Sequence, residues 1–174
     1  MDASKFEFTR LLDLLCRSEN DPQVRHFCGR AISRIEHDEY YGALEFKSDG
    51  VDVVFKEAQW MKPLEQIASA EELYVAAFHL HRAGHEDFCG YTGQLPNGLA
   101  FGDREEEVLQ KMGPPLSRGG GGISNLLKLT VPRWCRYMIG DRFIHVQLDS
   151  NGCVEMVTLD ACEPESDLIS AQVS

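Results

Sequence analysis

Three short turn sequences limit what this chain can fold into, because each lies between runs in which apolar and polar residues alternate. Ser48-Asp49-Gly50, Gly140-Asp141 and Asn151-Gly152 contain the residue types that tight hairpin turns require. The alternation on either side has the period of two that is typical of half-buried β-strands. The three turns therefore predict three antiparallel hairpins.

The second and third hairpins share their middle strand, which predicts a three-stranded meander near the carboxyl end. Strand alternation then assigns the inward residues. These are Ile144, Val146 and Leu148, opposite Val154, Met156 and Thr158.

The first hairpin has a candidate third strand in the segment LYVAAFHLH, residues 73–81, where apolar residues and histidines alternate. A helix is the alternative, because Ser69 and Glu72 form a capping box that would start one at Ala70. We favour the strand, since it gives the first half the same meander as the second. On the preceding strand, one face is expected to carry Val51, Val53 and Phe55.

The two halves of the chain also begin alike. Short helices are expected after Phe8 and after Phe101, with Thr9 and Asp103 as N-caps, and with prolines ending both helices. We therefore predict an α+β fold of two similar units, each a short helix plus an antiparallel β-meander. The predicted boundaries are 1–87 for the first unit, 88–100 for a connecting loop, 101–160 for the second unit and 161–174 for an acidic tail.

Acidic residues outnumber basic ones, with 28 Asp and Glu against 17 Lys and Arg, and the net charge is −11. Such a surface repels nucleic acid and anionic lipid, so we expect neither nucleic acid nor membrane as a partner. A partner that uses this charge would be basic. The 174 residues, 43% of them hydrophobic, are sufficient for a folded protein without crosslinks.

The sequence also predicts a cellular location. No apolar run approaches the roughly 18 residues of a membrane span, and the first residues, MDASKFEFTR, lack the basic and apolar stretches of a signal peptide. We therefore expect a cytoplasmic protein. The six cysteines include no C-x-x-C pair, so in a reducing compartment we expect free thiols.

His79, His81 and His85 form the cluster that most resembles a metal site. On a strand, His79 and His81 project from one face, where they can bind zinc if His85 or an acid or cysteine of the next loop completes the set. The alternative is a pair of histidines on the solvent side of an amphipathic strand. Because the spacing matches no zinc signature, we expect no metal and no cofactor.

No other motif predicts catalysis. The chain has no G-x-S-x-G elbow, and the glycine-rich stretch SRGGGGISN lacks the Lys-Ser/Thr pair of a phosphate loop. Clusters of acids, several of them beside Tyr, instead suggest contacts with a basic protein, although a solvated face is the alternative for any one cluster. The residues we expect to make such contacts are Glu36, Asp38, Glu39 and Tyr40, followed by Glu105 and Glu106.

Three segments resemble a known group of proteins: YYGALEFKSDGVDVVF, CGYTGQLPNGLAFGDREEEVLQKMGPP and IGDRFIHVQLDSNGCVEMVTL. They are similar to small bacterial cytosolic proteins encoded beside polymorphic and type VI secreted toxins, which act as immunity proteins. The middle segment carries most of the likeness, which extends in outline over residues 8 to 160. The alternation of helix and meander also resembles the doubled units of β-lactamase inhibitor proteins, in architecture alone.

The resemblance implies stoichiometric inhibition, in which the chain binds a cognate toxin and blocks its active site or substrate path. A nuclease toxin is the natural expectation, since an acidic protein can occupy a cleft lined by Lys and Arg. Two rival functions stay open: a metal-dependent small-molecule enzyme that uses His79, His81 and His85, and a regulatory adaptor.

Overall fold

A computed structural model describes residues 3–35, 41–61, 72–123 and 130–162. Within these ranges the chain forms three short α-helices and seven β-strands. The helices are α1 (Phe8–Leu14), α2 (Pro22–Cys28) and α3 (Glu105–Met112). The strands are β1 (Tyr41–Phe46), β2 (Val51–Glu57), β3 (Leu73–His81), β4 (Ser117–Gly119), β5 (Arg133–Ile139), β6 (Arg142–Leu148) and β7 (Val154–Asp160).

All seven strands lie in one antiparallel sheet with the order β1-β2-β3-β7-β6-β5-β4. The three predicted hairpins are confirmed as β1–β2, β5–β6 and β6–β7. The segment 73–81 is confirmed as a strand, β3, which pairs with β2 and also with β7. The pairing of β3 with β7 joins the two meanders edge to edge, so the α+β prediction with antiparallel strands is confirmed.

One face of the sheet is apolar and carries the core. Val51, Val53, Phe55, Ile144, Val146 and Leu148 are all buried, as the alternation predicts. The helices cover this face because each presents a short apolar stripe to it. Leu11 and Leu14 of α1, Phe27 of α2 and Val108 of α3 belong to the same hydrophobic cluster, and the Phe27 ring meets that of Phe78 on β3 edge-on at 5.6 Å.

The predicted inward face of β7 was partly wrong. Val154 lies opposite Leu148, but Met156 pairs with Gln147, and Thr158 pairs with His145 on the other face. The cause is a β-bulge at Glu155, which shifts the strand by one residue and turns Val157 and Leu159 into the core instead.

The predicted helix caps were wrong as well. The N-cap of α1 is Glu7 and that of α3 is Arg104. The Asp103 carboxylate instead accepts hydrogen bonds from the Ala100 backbone and from Lys111 Nζ, which hold the turn before α3 against the helix.

Pro22 was predicted to end the first helix, but it begins a second helix, α2. The sequence pattern had not predicted this helix. The preset φ of proline suits the first turn of a helix, where its missing N–H is not needed. The preceding Asp21 is the N-cap and accepts a hydrogen bond from the Gln23 amide at 2.7 Å.

None of the helices in the described ranges is long and apolar enough to span a membrane. All six cysteines are free thiols, and Cys28 and Cys135 are buried. Burial raises the pKa of Cys28 to about 12, so this thiol stays protonated and acts as a small apolar side chain.

Candidate functional site

A row of polar side chains crosses the sheet on the face opposite the helices. The strand register places Asp52 beside His79, His79 beside Thr158, Thr158 beside His145 and His145 beside Arg136. We call these five residues the polar row. Five consecutive strands of the sheet, β2, β3, β7, β6 and β5, thus each contribute one side chain that can carry charge or form hydrogen bonds.

At one end of the polar row, the Asp52 carboxylate lies between two imidazoles. Its Oδ1 is 2.7 Å from His79 Nδ1, and its Oδ2 is 2.8 Å from His81 Nε2. His79 and His81 are two residues apart on β3 and so project from the same face, as the sequence predicted. Asp52 reaches both because it lies directly opposite His79 on β2.

The second ring nitrogen of His81 contacts another histidine, His85, in the loop after β3. His81 Nδ1 is 2.8 Å from His85 Nδ1, so one of the two nitrogens must donate the proton and the other must accept it. The His81 ring also stacks on Phe88 with a centroid distance of 3.8 Å and an interplanar angle of 2°. The loop after β3 therefore folds back over His81, which is only 1% exposed.

Glu155 lies at the far end of these contacts. His85 Nε2 is 4.0 Å from Glu155 Oε1, and the same oxygen accepts a hydrogen bond from Gln147 Nε2 at 3.0 Å. Glu155 is the bulged residue of β7, and bulges often reorient a side chain next to functional sites. Asp52, His81, His85 and Glu155 thus form a line of titratable groups.

The ionisation of these groups follows from burial and charge. Burial opposes the charged form of Asp52, but the imidazoles of His79 and His81 outweigh it and lower the pKa of the carboxyl. Burial likewise works against a charged His79, but Asp52 dominates and raises the pKa of this imidazole. Asp52 and His79 thus each stabilise the charged form of the other.

The other end of the polar row behaves differently. Burial and the Arg136 guanidinium lower the pKa of His145 to about 4, so this imidazole is neutral at pH 7. Nearby, burial raises the pKa of Asp160 to about 6 despite the opposing charge of His79. Burial therefore lowers the pKa of His145 and raises the pKa of Asp160, and in both cases it favours the uncharged form.

One oxygen of the cluster is left unsatisfied. Despite its short contact with His79, Asp52 Oδ1 is a buried atom with no hydrogen-bond partner among the residues that the structure describes. The contact must therefore lie off the direction of an N–H bond. The imidazole at 2.7 Å offsets part of the cost of burying this oxygen, and a ligand that bonds to the oxygen directly would offset the rest.

The residues predicted to contact a partner fall into two groups. Glu36, Asp38, Glu39 and Tyr40 lie outside the described residues, immediately before β1 in the sequence. Glu105 and Glu106 lie together in the first turn of α3, where the helix dipole favours acids. Glu105 binds Arg133 of β5 at 2.8 Å, whereas Glu106 is exposed.

The edge of the sheet next to α3 carries exposed apolar side chains. Leu116, Ile123 and Met138 are 62%, 67% and 52% exposed, and they lie beside or on the last two strands, β4 and β5. The terminal strand β4 has only three residues. Acids and unburied apolar side chains thus occur at the same edge.

Asp52 and Glu155 were missed by the sequence analysis. Asp52 lies between Val51 and Val53 on β2. The hairpin alone therefore predicts that its side chain projects from the face opposite the core. Its contact with His79 also requires the register of β2 on β3, which a long connection conceals. The sequence pattern did not predict the position of Glu155, because its side chain is directed toward His85 only as a result of the β-bulge.

Comparisons with known proteins give little further information. No family model matches the chain. Among solved structures, the chain is similar to a DUF4309 family protein, YjgB, from Bacillus subtilis subsp. subtilis str. 168. That likeness has a TM-score of 0.48 and 11% sequence identity, and it covers 92% of this chain and 99% of the other.

Proposed function

We propose that the chain is a cytoplasmic immunity protein, which binds a cognate secreted toxin and neutralises it by stoichiometric occlusion. The observation that supports it most is that exposed acids of α3, Glu106 and Glu107, occur together with exposed apolar side chains on or beside β4 and β5, which are Leu116, Ile123 and Met138. Glu105 of the same helix binds Arg133 of β5 at 2.8 Å. Apolar anchors surrounded by charge are typical of protein interfaces. We refer to these acids and apolar side chains as the α3 edge.

The charge of the chain defines the chemistry of the partner. With a net charge of −11, the surface attracts a basic protein and accelerates its association. A nuclease toxin fits, because its substrate-binding cleft must be basic to hold phosphates. The resemblance to immunity proteins supports the same class.

The two predicted contact groups differ in what the structure describes of them. Glu105 and Glu106 lie on α3, whereas Glu36, Asp38, Glu39 and Tyr40 precede β1 in the sequence and lie outside the described residues. We therefore centre the proposed toxin contact on the α3 edge and keep Glu36, Asp38, Glu39 and Tyr40 as further proposed contacts.

The likeness of the two halves is part of this proposal. Its support is that three antiparallel strands follow helical segments in each half, β1-β2-β3 after α1 and α2, and β5-β6-β7 after α3 and β4. The unit boundaries at residues 87, 100 and 160 belong to the same proposal.

A metal-dependent small-molecule enzyme is the second candidate function. The arrangement of Asp52, His79 and His81 favours it, because two imidazoles and a carboxylate also form catalytic metal sites. The two functions differ in stoichiometry: an inhibitor acts one for one, whereas an enzyme turns over.

Binding to the product of the neighbouring gene tests the main proposal. We expect a 1:1 complex by isothermal titration whose affinity falls as the salt concentration rises. Glu106→Lys should weaken it about tenfold or more, since it places a cation against a basic partner. Glu86→Lys, an equal charge change at an exposed loop position, is the matched control. Equal weakening by both variants would contradict the α3 edge as the contact, and no complex at low salt would contradict the function.

A further inference from the structure

We propose that Asp52, His79 and His81 form a binding site for a divalent first-row transition metal such as Zn²⁺, with His85 and Glu155 positioning His81. This site is on the sheet face opposite the helices and does not depend on the toxin proposal. We call the three proposed ligands the metal triad.

The donor atoms already converge. One ligand atom from each residue of the metal triad lies within 4.8 Å of the other two. Ligands about 2.0–2.1 Å from a tetrahedral zinc are about 3.4 Å apart, so shifts of less than about 1 Å would admit the ion. Two nitrogens and one carboxylate oxygen match the donor set of zinc sites that keep a fourth position open for water.

The unpartnered oxygen supports an ion at this position. Asp52 Oδ1 is buried, and its contact with His79 Nδ1 at 2.7 Å falls outside hydrogen-bond geometry among the described residues. A cation would satisfy this oxygen and remove the cost of leaving it unpaired. The exposed fraction of His79, 30%, gives an ion access from solvent.

The orientation of the His81 ring is already fixed by its neighbours, as is typical of a histidine that binds a metal. A ligating imidazole usually donates its other N–H to a neighbouring group, which fixes its orientation. Here His85 Nδ1 lies 2.8 Å from the free nitrogen of His81, and stacking on Phe88 fixes the ring plane. A metal on His81 Nε2 therefore needs the proton of that ring on Nδ1.

The protons of His81 and His85 can be rearranged without being lost. In the neutral pair without metal, His81 Nε2–H donates to Asp52, and His85 Nδ1–H donates to His81. When metal takes His81 Nε2, the His81 proton moves to Nδ1 and is donated to His85 Nδ1. The His85 proton then moves to Nε2, where it faces Glu155 at 4.0 Å. His81 and His85 each keep one proton in this shift. His79 must also present an unprotonated Nδ1, so a charged His79 releases one proton to solvent when the metal binds.

Metal binding tests the proposal directly. The full-length protein is stripped with a chelator, titrated with Zn²⁺, and titrated separately with Co²⁺ while the visible absorption of tetrahedral Co²⁺ is recorded. We expect one ion per chain. Asp52→Asn and His79→Gln should each weaken binding at least 100-fold, and circular dichroism would verify that both variants fold. His26→Gln, at an exposed histidine on α2, is the matched control and should bind as the wild type does.

The positioning role of His85 has its own readout. His85→Gln should weaken Zn²⁺ binding about 10–100-fold while one ion per chain is still bound, as is found for groups that orient metal ligands. The proposal would be overturned if the wild type bound fewer than about one ion per five chains at the end of the titration. Unchanged binding by Asp52→Asn would also overturn it. Unchanged binding by His85→Gln would overturn the positioning role.

Discussion

His145 is a neutral imidazole held between an aromatic ring and a cation. Its ring lies 5.1 Å from that of Trp134, and its cross-strand neighbour is Arg136. Burial and the guanidinium lower its pKa to about 4, well below the ordinary 6.5. In the unfolded chain the same imidazole takes up a proton near pH 6.5, so acid favours unfolding through this residue.

The pH dependence of stability follows from this shift. Because the folded pKa is depressed, the contribution is complete above pH 6.5 and is lost as the pH falls toward 4. Between pH 7 and pH 5, wild type should lose about 1–2 kcal/mol more unfolding free energy than His145→Gln, allowing for the partial exposure of the ring. Urea unfolding at several pH values measures this. His26→Gln is the control, and the same loss in wild type and His145→Gln would contradict the assignment.

At the scale of elements, the β1–β2 hairpin depends on close packing at Gly50. This residue has φ of +70°, and a Cβ there would lie 2.0 Å from the Tyr91 backbone nitrogen. The Gly50 carbonyl also accepts the His81 amide at 2.8 Å. The turn thus fixes the end of β3, and with it His81, against the loop that covers it.

Gly50→Ala should therefore be strongly destabilising. The left-handed backbone costs about 1–2 kcal/mol for a residue with a Cβ, and the backbone overlap should bring the loss to about 3 kcal/mol or more. Gly84→Ala is the matched control, because Gly84 has φ of +83° but open space where a Cβ would be. Thermal or urea unfolding compares the two. Equal losses would show that the packing at Gly50 contributes nothing.

The elements that the sequence predicted are those with local causes. The hairpins follow from Asp-Gly, Gly-Asp and Asn-Gly turns, and the buried faces follow from alternation. The bulge at Glu155 could not be foreseen, because it arises where β7 adapts to β6 and β3 together. The α2 helix was missed because Pro22 was interpreted as a stop, although Asp21 and Pro22 are also an N-cap and first helical residue.

At the scale of the whole molecule, the pairing of β3 with β7 determines which groups meet. It makes one sheet of the two meanders and continues the polar row from His79 to Thr158 and His145. It also sets β1 and β4 at opposite edges of the sheet. Sequence pattern could not supply this pairing, because no local signal specifies contacts between distant strands.

One-for-one occlusion of a basic toxin is the function that we propose for this chain. The most direct test is to titrate the activity of the neighbouring gene's product with the purified chain, at toxin concentrations well above the dissociation constant. The account predicts that activity falls linearly and reaches zero at one chain per toxin. Loss of activity at far fewer chains than toxins, or no loss at a large excess of chain, would contradict it.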